Sequence, residues 1–199
     1  ISLMPGMLDA VAAGEIKIST LHNFCPLPMG VNHSAPNLYQ FSDERPRERE
    51  LAHKHTLKTF DFAGRVKAQL IVLHVGSIQL KDYTDKLLEM IEAGEKDSPK
   101  YKKLCAELSE KRGKKKKEYW ARTLESLKKL APEAEKRGLR LGIENREALE
   151  ELPIESDYDA LFAEITSPSL AYWHDTGHAQ IKENLGFINH RQQLESRRE

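Results

Sequence analysis

The chain has 199 residues, 39% hydrophobic and 31% charged, and its 31 basic and 31 acidic side chains cancel to zero net charge. Such a composition is that of an ordinary globular protein, and the balanced charge gives no global pull toward nucleic acid or membrane. No apolar run approaches the roughly 20 residues a membrane span needs and no basic-then-apolar leader opens the sequence, while two cysteines without CxxC spacing, Cys25 and Cys105, point to a reducing, cytoplasmic setting.

Met7, Leu8, Val11 and Ala12 recur at helical spacing and stop at Gly14, so residues 1–14 read as a helix. A first strand over Ile16 to Leu21 ends at His22. Pro26 and Pro28 then exclude helix, and a long loop is expected to Phe41, over the strand's C-terminal end. Ser42 or Asp43 caps the next helix, with Pro46 in its first turn, and it runs through Leu51, Leu57 and Phe60 toward Gly64. Residues 67–74 form a second strand, which ends at His74. From 79 to 138 apolar residues recur at helical spacing, punctuated by Gly94, Ser98-Pro99 and Gly113; two or three helical pieces are expected, the last ending at Gly138. A third strand, 139–144, ends at Glu144. A short helix near 147–151 and another from Ser156 or Asp157 to about Ile165 follow, and Ser167-Pro168 breaks the chain before a fourth strand. That strand is Leu170-Ala171-Tyr172-Trp173, and it leads into His174-Asp175-Thr176-Gly177-His178. From His178 onward the sequence is helical and increasingly charged.

Strands separated by helical stretches argue for βαβ units and a parallel sheet, whose ligands bind at the C-terminal strand ends. Side chains alternate along a strand, so each terminal residue shares a face with those two and four before it. His22 goes with Thr20 and Ile18, His74 with Val72 and Leu70, Glu144 with Gly142 and Arg140, and Asp175 with Trp173 and Ala171. The opposite face carries Ile71, Leu73, Leu141, Ile143, Leu170 and Tyr172, which suit packing under helices. His22, His74, Glu144 and Asp175 are thereby assigned to one inner face, and His174 to the other, away from ligation. Carboxylates and imidazoles together suit a divalent ion such as zinc or manganese, with cobalt and magnesium as alternatives. Glu144 can also serve as proton-transfer base, since abstraction of a proton alpha to a metal-polarised carbonyl is feasible near neutral pH.

At Leu21-His22-Asn23-Phe24, Leu73-His74-Val75-Gly76-Ser77, Ile143-Glu144-Asn145 and His174-Asp175-Thr176-Gly177-His178 the sequence resembles the xylose isomerase-like barrel superfamily. That superfamily groups sugar and sugar phosphate isomerases and epimerases with AP endonuclease IV. The resemblance implies an α/β fold of (β/α)8 TIM-barrel type, with about half of it, four parallel strands and their helices, in residues 1–199. These are taken as a single domain. The sequence opens at Ile1 and stops within a charged helical pattern at Glu199, so both ends read as cut, with further ligands expected beyond. The resemblance also implies Glu144 and Asp175 as metal ligands and His178 as a substrate or metal contact. In the endonuclease branch the places of His22 and His74 bind zinc as well.

Three functions follow. The first is a metal-dependent isomerase or epimerase on a carbohydrate-like small molecule: Glu144 and His178 catalytic, Glu144, Asp175, His22 and His74 around the ion, and His178, Asn145 and Arg146 toward substrate. The second is a zinc phosphodiesterase of the AP endonuclease type, and the third a barrel that binds a small ligand without catalysis. Arg146 meets an anionic substrate or, equally, pairs with Glu147 or Glu150. Lys114 to Lys117 lie among Glu107, Glu110 and Glu118 without interleaved aromatics, a solvated helix face rather than a nucleic-acid surface. Trp120 packs that helix, His53 and His55 are surface residues, and His33 reaches the site only if its loop folds over. Unpaired edges of an open half barrel leave room for a homo-oligomer.

Overall fold

The computed structural model describes residues 4–24, 35 and 37–196. Expectations for Cys25, His33 and most of the loop after the first strand lie outside those residues. In chain order the elements are α1 (Met4–Ala13), β1 (Thr20–His22), α2 (Pro46–Val66), β2 (Leu70–Leu73), β3 (Gly76–Ser77), α3 (Tyr83–Glu92) and α4 (Pro99–Glu135). They continue with β4 (Arg140–Glu144), β5 (Glu151–Leu152), a 3-10 turn at Glu155–Asp157, α5 (Tyr158–Glu164), β6 (Leu170–Trp173), α6 (Thr176–Asn184) and α7 (His190–Glu195).

β1, β2, β4 and β6 form one parallel sheet in that order, while β3 and β5 pair antiparallel as a separate ribbon. The fold is α/β of TIM-barrel type, four parallel strands with helices, and among the described residues the sheet does not close. Its register sets His22 beside Val72, Val72 beside Gly142, and Glu144 beside Trp173, so the alternation inferred from sequence holds across all four strands. On the helix side Ile71, Leu73, Leu141 and Ile143 are fully buried against Phe60 and Ala63 of α2, Leu127 and Leu130 of α4, and Leu161 of α5. Branched apolar side chains at every second position need such a cover, and amphipathic helices between parallel strands supply it.

Four local expectations fail, each for a physical reason. Arg45, in extended backbone, is the N-cap of α2, because Asp43 is spent accepting the Arg45 backbone N–H at 2.8 Å, and Pro46 starts the helix. The helix runs past Gly64 and stops at Lys67, whose left-handed φ of 58° closes it. Gly113 does not interrupt α4, a single helix of 37 residues that begins at Ser98, whose side chain accepts from the Tyr101 N–H. A mid-helix glycine costs only about 1 kcal/mol relative to alanine. α4 repays that by packing into two clusters, with Tyr101 and Leu108 against α3 and Leu124, Leu127 and Leu130 over the sheet. Finally, residues 147–151 are not helical: Glu151 and Leu152 pair with Ser77 and Gly76. The ribbon lets Gly76, at φ 146°, pass so close to Ser42 that a Cβ there would lie 2.1 Å from its Oγ, and that hydroxyl accepts from the Ser77 N–H at 2.9 Å.

Candidate metal centre

Three side chains meet at the C-terminal ends of β1, β2 and β4. His22 Nε2 lies 3.0 Å from His74 Nε2, His74 Nε2 lies 2.6 Å from Glu144 Oε2, and His22 Nε2 lies 3.8 Å from the same oxygen. The partners of the other ring nitrogens orient both rings. His22 Nδ1 faces the Asn23 carbonyl at 3.2 Å, and His74 Nδ1 faces Asn37 Oδ1 at 3.1 Å, the Asn37 amide nitrogen being turned to Glu151. Carbonyl oxygens only accept, so each Nδ1 donates and each ring turns its Nε2 toward the carboxylate. Orientation of an imidazole by a hydrogen bond at its far nitrogen is the usual support of a metal-ligating histidine.

A second group shares Glu144. Asp175, at the end of β6, caps α6 by accepting the His178 backbone N–H on Oδ1 at 2.9 Å, which leaves Oδ2 turned toward the His178 ring at 3.9 Å. His178 Nδ1 donates to the Asn145 carbonyl at 2.9 Å and lies 3.9 Å from Glu144 Oε1. Asp175 is thus a helix cap whose second oxygen is turned to the candidate site, and His178 Nε2 lies 3.7 Å from Glu147 Oε2. The groups that could hold an ion are His22, His74 and Glu144 on one side and Glu144, Asp175 and His178 on the other.

The donor chemistry fits a divalent ion. Two imidazole nitrogens and a carboxylate oxygen crowd at 2.6–3.8 Å. Ligands about 2.1 Å from a tetrahedral zinc lie roughly 3.4 Å apart. Lone pairs this close repel unless a proton or cation sits among them. The electrostatics agree. Burial pushes the Glu144 carboxyl up, but hydrogen bonds to His22 and His74 and the charge of Arg146 outweigh it and hold the group well below the usual carboxylate range. The Glu144 carboxylate raises His22, whereas burial lowers His74 despite the same partner.

Arg146 pairs with neither Glu147 nor Glu150. Its Nη1 reaches His74 Nε2 at 2.6 Å and Glu144 Oε2 at 3.2 Å, and its Nη2 and Nε bind Glu151 Oε1 at 2.9 and 3.1 Å. Asn145 is fully buried: its amide donates to Glu155 and to the Asp175 carbonyl, and its Oδ1 accepts the Asp175 N–H at 2.6 Å. Lys182, fully buried on α6, donates to the Arg146 and His178 carbonyls and lies 3.2 Å from Glu155; burial pushes its pKa down. Asn145, Glu155 and Lys182 thus weld the loop after β4 to the start of α6. Sequence reasoning missed Asn37, Glu151, Glu155 and Lys182. Only Lys182 left a trace, one helical turn after His178. His174, as alternation required, turns away: Nδ1 contacts the Tyr172 hydroxyl at 2.5 Å and Nε2 lies 2.8 Å from His190 Nε2.

The sequence matches the family described as xylose isomerase-like TIM barrel over residues 14–197. No curated protein matches it. Among solved structures it is similar to a 3-keto-D-glucoside 4-epimerase from E. coli, with TM-score 0.61, 14% identity, and 96% of this chain on 62% of that one. A D-tagatose 3-epimerase-like protein aligns with TM-score 0.57 and 16% identity over 94% of this chain and 57% of that one. D-psicose 3-epimerase, solved in the presence of D-fructose, aligns with TM-score 0.58 and 15% identity over 90% and 50%. At these identities the likeness is one of fold, and the chain spans between half and about three-fifths of the length of those structures.

Proposed function

Because the chain belongs to the xylose isomerase-like TIM barrel family, we propose that it carries the strand-end half of a metal-dependent sugar or sugar phosphate isomerase or epimerase site, within a single domain. The observation that carries this reading is the convergence of His22, His74, Glu144, Asp175 and His178 at the C-terminal ends of four adjacent parallel strands. Glu144, Asp175, His22 and His74 are the groups that would hold a divalent ion, which when bound would polarise a substrate carbonyl and make its alpha proton acidic. Glu144 Oε2 faces the imidazoles while Oε1 faces His178, so one carboxylate can serve the cation with one oxygen and accept a carbon-bound proton with the other. His178, its Nδ1 proton committed to the Asn145 carbonyl, offers Nε2 to a sugar hydroxyl. Asn145 and Arg146, both spent on protein partners, position the ligands rather than grip substrate.

The test is deuterium wash-in at the carbon alpha to the carbonyl of ketohexoses in D2O, with the protein loaded with manganese, cobalt, magnesium or zinc. Exchange that needs the metal supports the proposal; no exchange with any sugar or sugar phosphate under metal-loaded conditions would sink it.

One observation favours a second reading, the zinc phosphodiesterase of the endonuclease type: both His22 and His74 aim Nε2 at Glu144. Against it, zero net charge is joined by local pairing of the lysine-rich helix, where Lys111, Lys114 and Lys116 contact Glu107, Glu110 and Asp157. Two or three zinc ions per chain and cleavage of abasic-site DNA would decide for the nuclease, and one ion for the isomerase. Among the described residues no helix is long and apolar enough to cross a membrane.

A further inference from the structure

Two ligand atoms of the centre, His74 Nε2 and Glu144 Oε2, already face one cation, and it belongs to the protein. Arg146 stands two residues past Glu144, with its backbone pinned at both ends: its N–H donates to the Pro153 carbonyl at 3.2 Å and its carbonyl accepts from Lys182. Only the side chain is left to move. Its nitrogens are divided, two on Glu151 and one between His74 and Glu144. Glu151 is itself fixed, Oε2 accepting the Ala148 N–H at 3.1 Å and Oε1 the Asn37 amide at 3.2 Å, and Asn37 holds the far side of the His74 ring. Arg146, Glu151, Asn37 and His74 therefore close a ring of hydrogen bonds beside the ligand atoms. Glu144, Arg146 and Glu151 are all buried, and two carboxylates share this one guanidinium, a negative charge in excess. Buried carboxylates without a cation are costly, and a guanidinium with a planar fork can serve two of them at once.

We infer that Arg146 is a resident counter-cation of the metal ligands, anchored on Glu151, whose single nitrogen on His74 and Glu144 must withdraw when a divalent ion arrives, so that this arginine sets how tightly the site takes metal. The inference rests on the metal-dependent reading proposed above. In the metal-free protein the guanidinium keeps Glu144 and His74 poised and the buried carboxylate paired. With an ion present it is a like charge, tolerable because Glu151 holds it by its other two nitrogens. Arg146 is in these terms a positioning residue, and the carboxylate that retains it is part of the device.

The two partners predict opposite outcomes, which a merely structural role would not produce. Zinc and manganese dissociation constants are measured by chelator competition for the wild-type protein, Arg146→Met and Glu151→Gln, with melting in EDTA as the metal-free readout. Arg146→Met removes a like charge beside the ion and should tighten metal binding by about tenfold or more while lowering the melting temperature in EDTA. Glu151→Gln releases the guanidinium onto Glu144 and should weaken binding by a similar factor. Should the methionine variant fail to fold, Arg146→Gln keeps a polar side chain without the charge, and it should also tighten binding. Metal bound by the wild type with unchanged or weaker affinity in the Arg146 variants overturns this inference alone. No metal bound by any of the proteins overturns the reading beneath it, and this inference with it.

Discussion

The two faces of one sheet differ in what they ask of each residue. Toward the helices Ile71, Leu73, Leu141 and Ile143 are sealed in a continuous apolar core, where shape is the only requirement. One residue along each strand, the concave face carries Gly142 under Trp173, a half-exposed Ala171, and finally the charges of Glu144 and its partners. There almost every polar atom has a named partner, and those partners come from other elements: Asn37 before α2, Glu151 on β5, Lys182 on α6. The period of two in a strand therefore separates folding from chemistry within five residues, and substitutions at neighbouring positions should fail in different ways.

Glu144→Gln should show the largest effect. It keeps the side chain's shape but removes the charge that His22, His74 and Arg146 address, and turnover should fall at least roughly a thousandfold in the metal-loaded protein. The same variant has a pH signature. Burial raises the Glu144 pKa, yet its partners depress it overall, so ionised Glu144 adds stability above the usual carboxylate value of about 4.3 that is lost as pH falls through and below it. In chelator, acid unfolding of the wild type should therefore be steeper below about pH 5 than that of Glu144→Gln. Parallel acid limbs would show that the concave face does not store its stability in this charge. Next in size, Ile143→Ala opens a cavity in the sealed face and should cost about 3–4 kcal/mol in urea unfolding, with the folded fraction still binding metal. Loss of metal binding at unchanged stability would erase the distinction between the faces.

That distinction was legible in the sequence wherever alternation alone decides it. Apolar runs ending in His22, His74, Glu144 and Asp175 placed those residues on one face and His174 on the other, because neither placement depends on anything beyond the strand itself. What stayed hidden depends on partners far along the chain. Glu151 looked like one acid in the charged run after the third strand. Only its pairing with β3 brings it to Arg146, and Lys182 is spent on a carbonyl 36 residues away. Gly113 misled for the converse reason: a local helix breaker is overridden when the helix packs at both ends. Asp175 caps α6 and also stands in a group that could hold an ion, so capping and ligation do not exclude each other.

A smaller effect probes what holds His74 in place. At Gly76→Ala the new methyl would overlap Ser42, and the left-handed φ resists any side chain, so the hydrogen bonds of Ser42 to Ser77 must break. The cost should be roughly 2–3 kcal/mol, read by thermal melting. With β3 displaced, metal affinity should fall as well, since β3 begins two residues after His74 and pairs with the strand bearing Glu151. Unchanged affinity would mean that the ribbon only covers the site.

The smallest effect is expected one residue from the sealed core, at Gly142→Ala. A Cβ at Gly142 would meet Trp173 Cβ at 3.1 Å and its ring carbon Cε3 at 3.4 Å, so something must give by a few tenths of an ångström. On the helix side such an intrusion would have nowhere to go. Here Trp173 is only half-buried and belongs to β6, which has a strand on one side only among the described residues. The indole can therefore tilt outward, and Trp173 Cβ, fixed to the backbone, yields through a small shift of that edge strand. Against the contact stands the gain from replacing a strand glycine, worth about 0.5–1 kcal/mol through the unfolded chain. The two terms nearly cancel, and the variant should unfold within about 0.5 kcal/mol of the wild type. A loss above about 2 kcal/mol would mean that the concave face is packed as tightly as the helix side, and that the room beside Glu144 is narrower than a sugar requires.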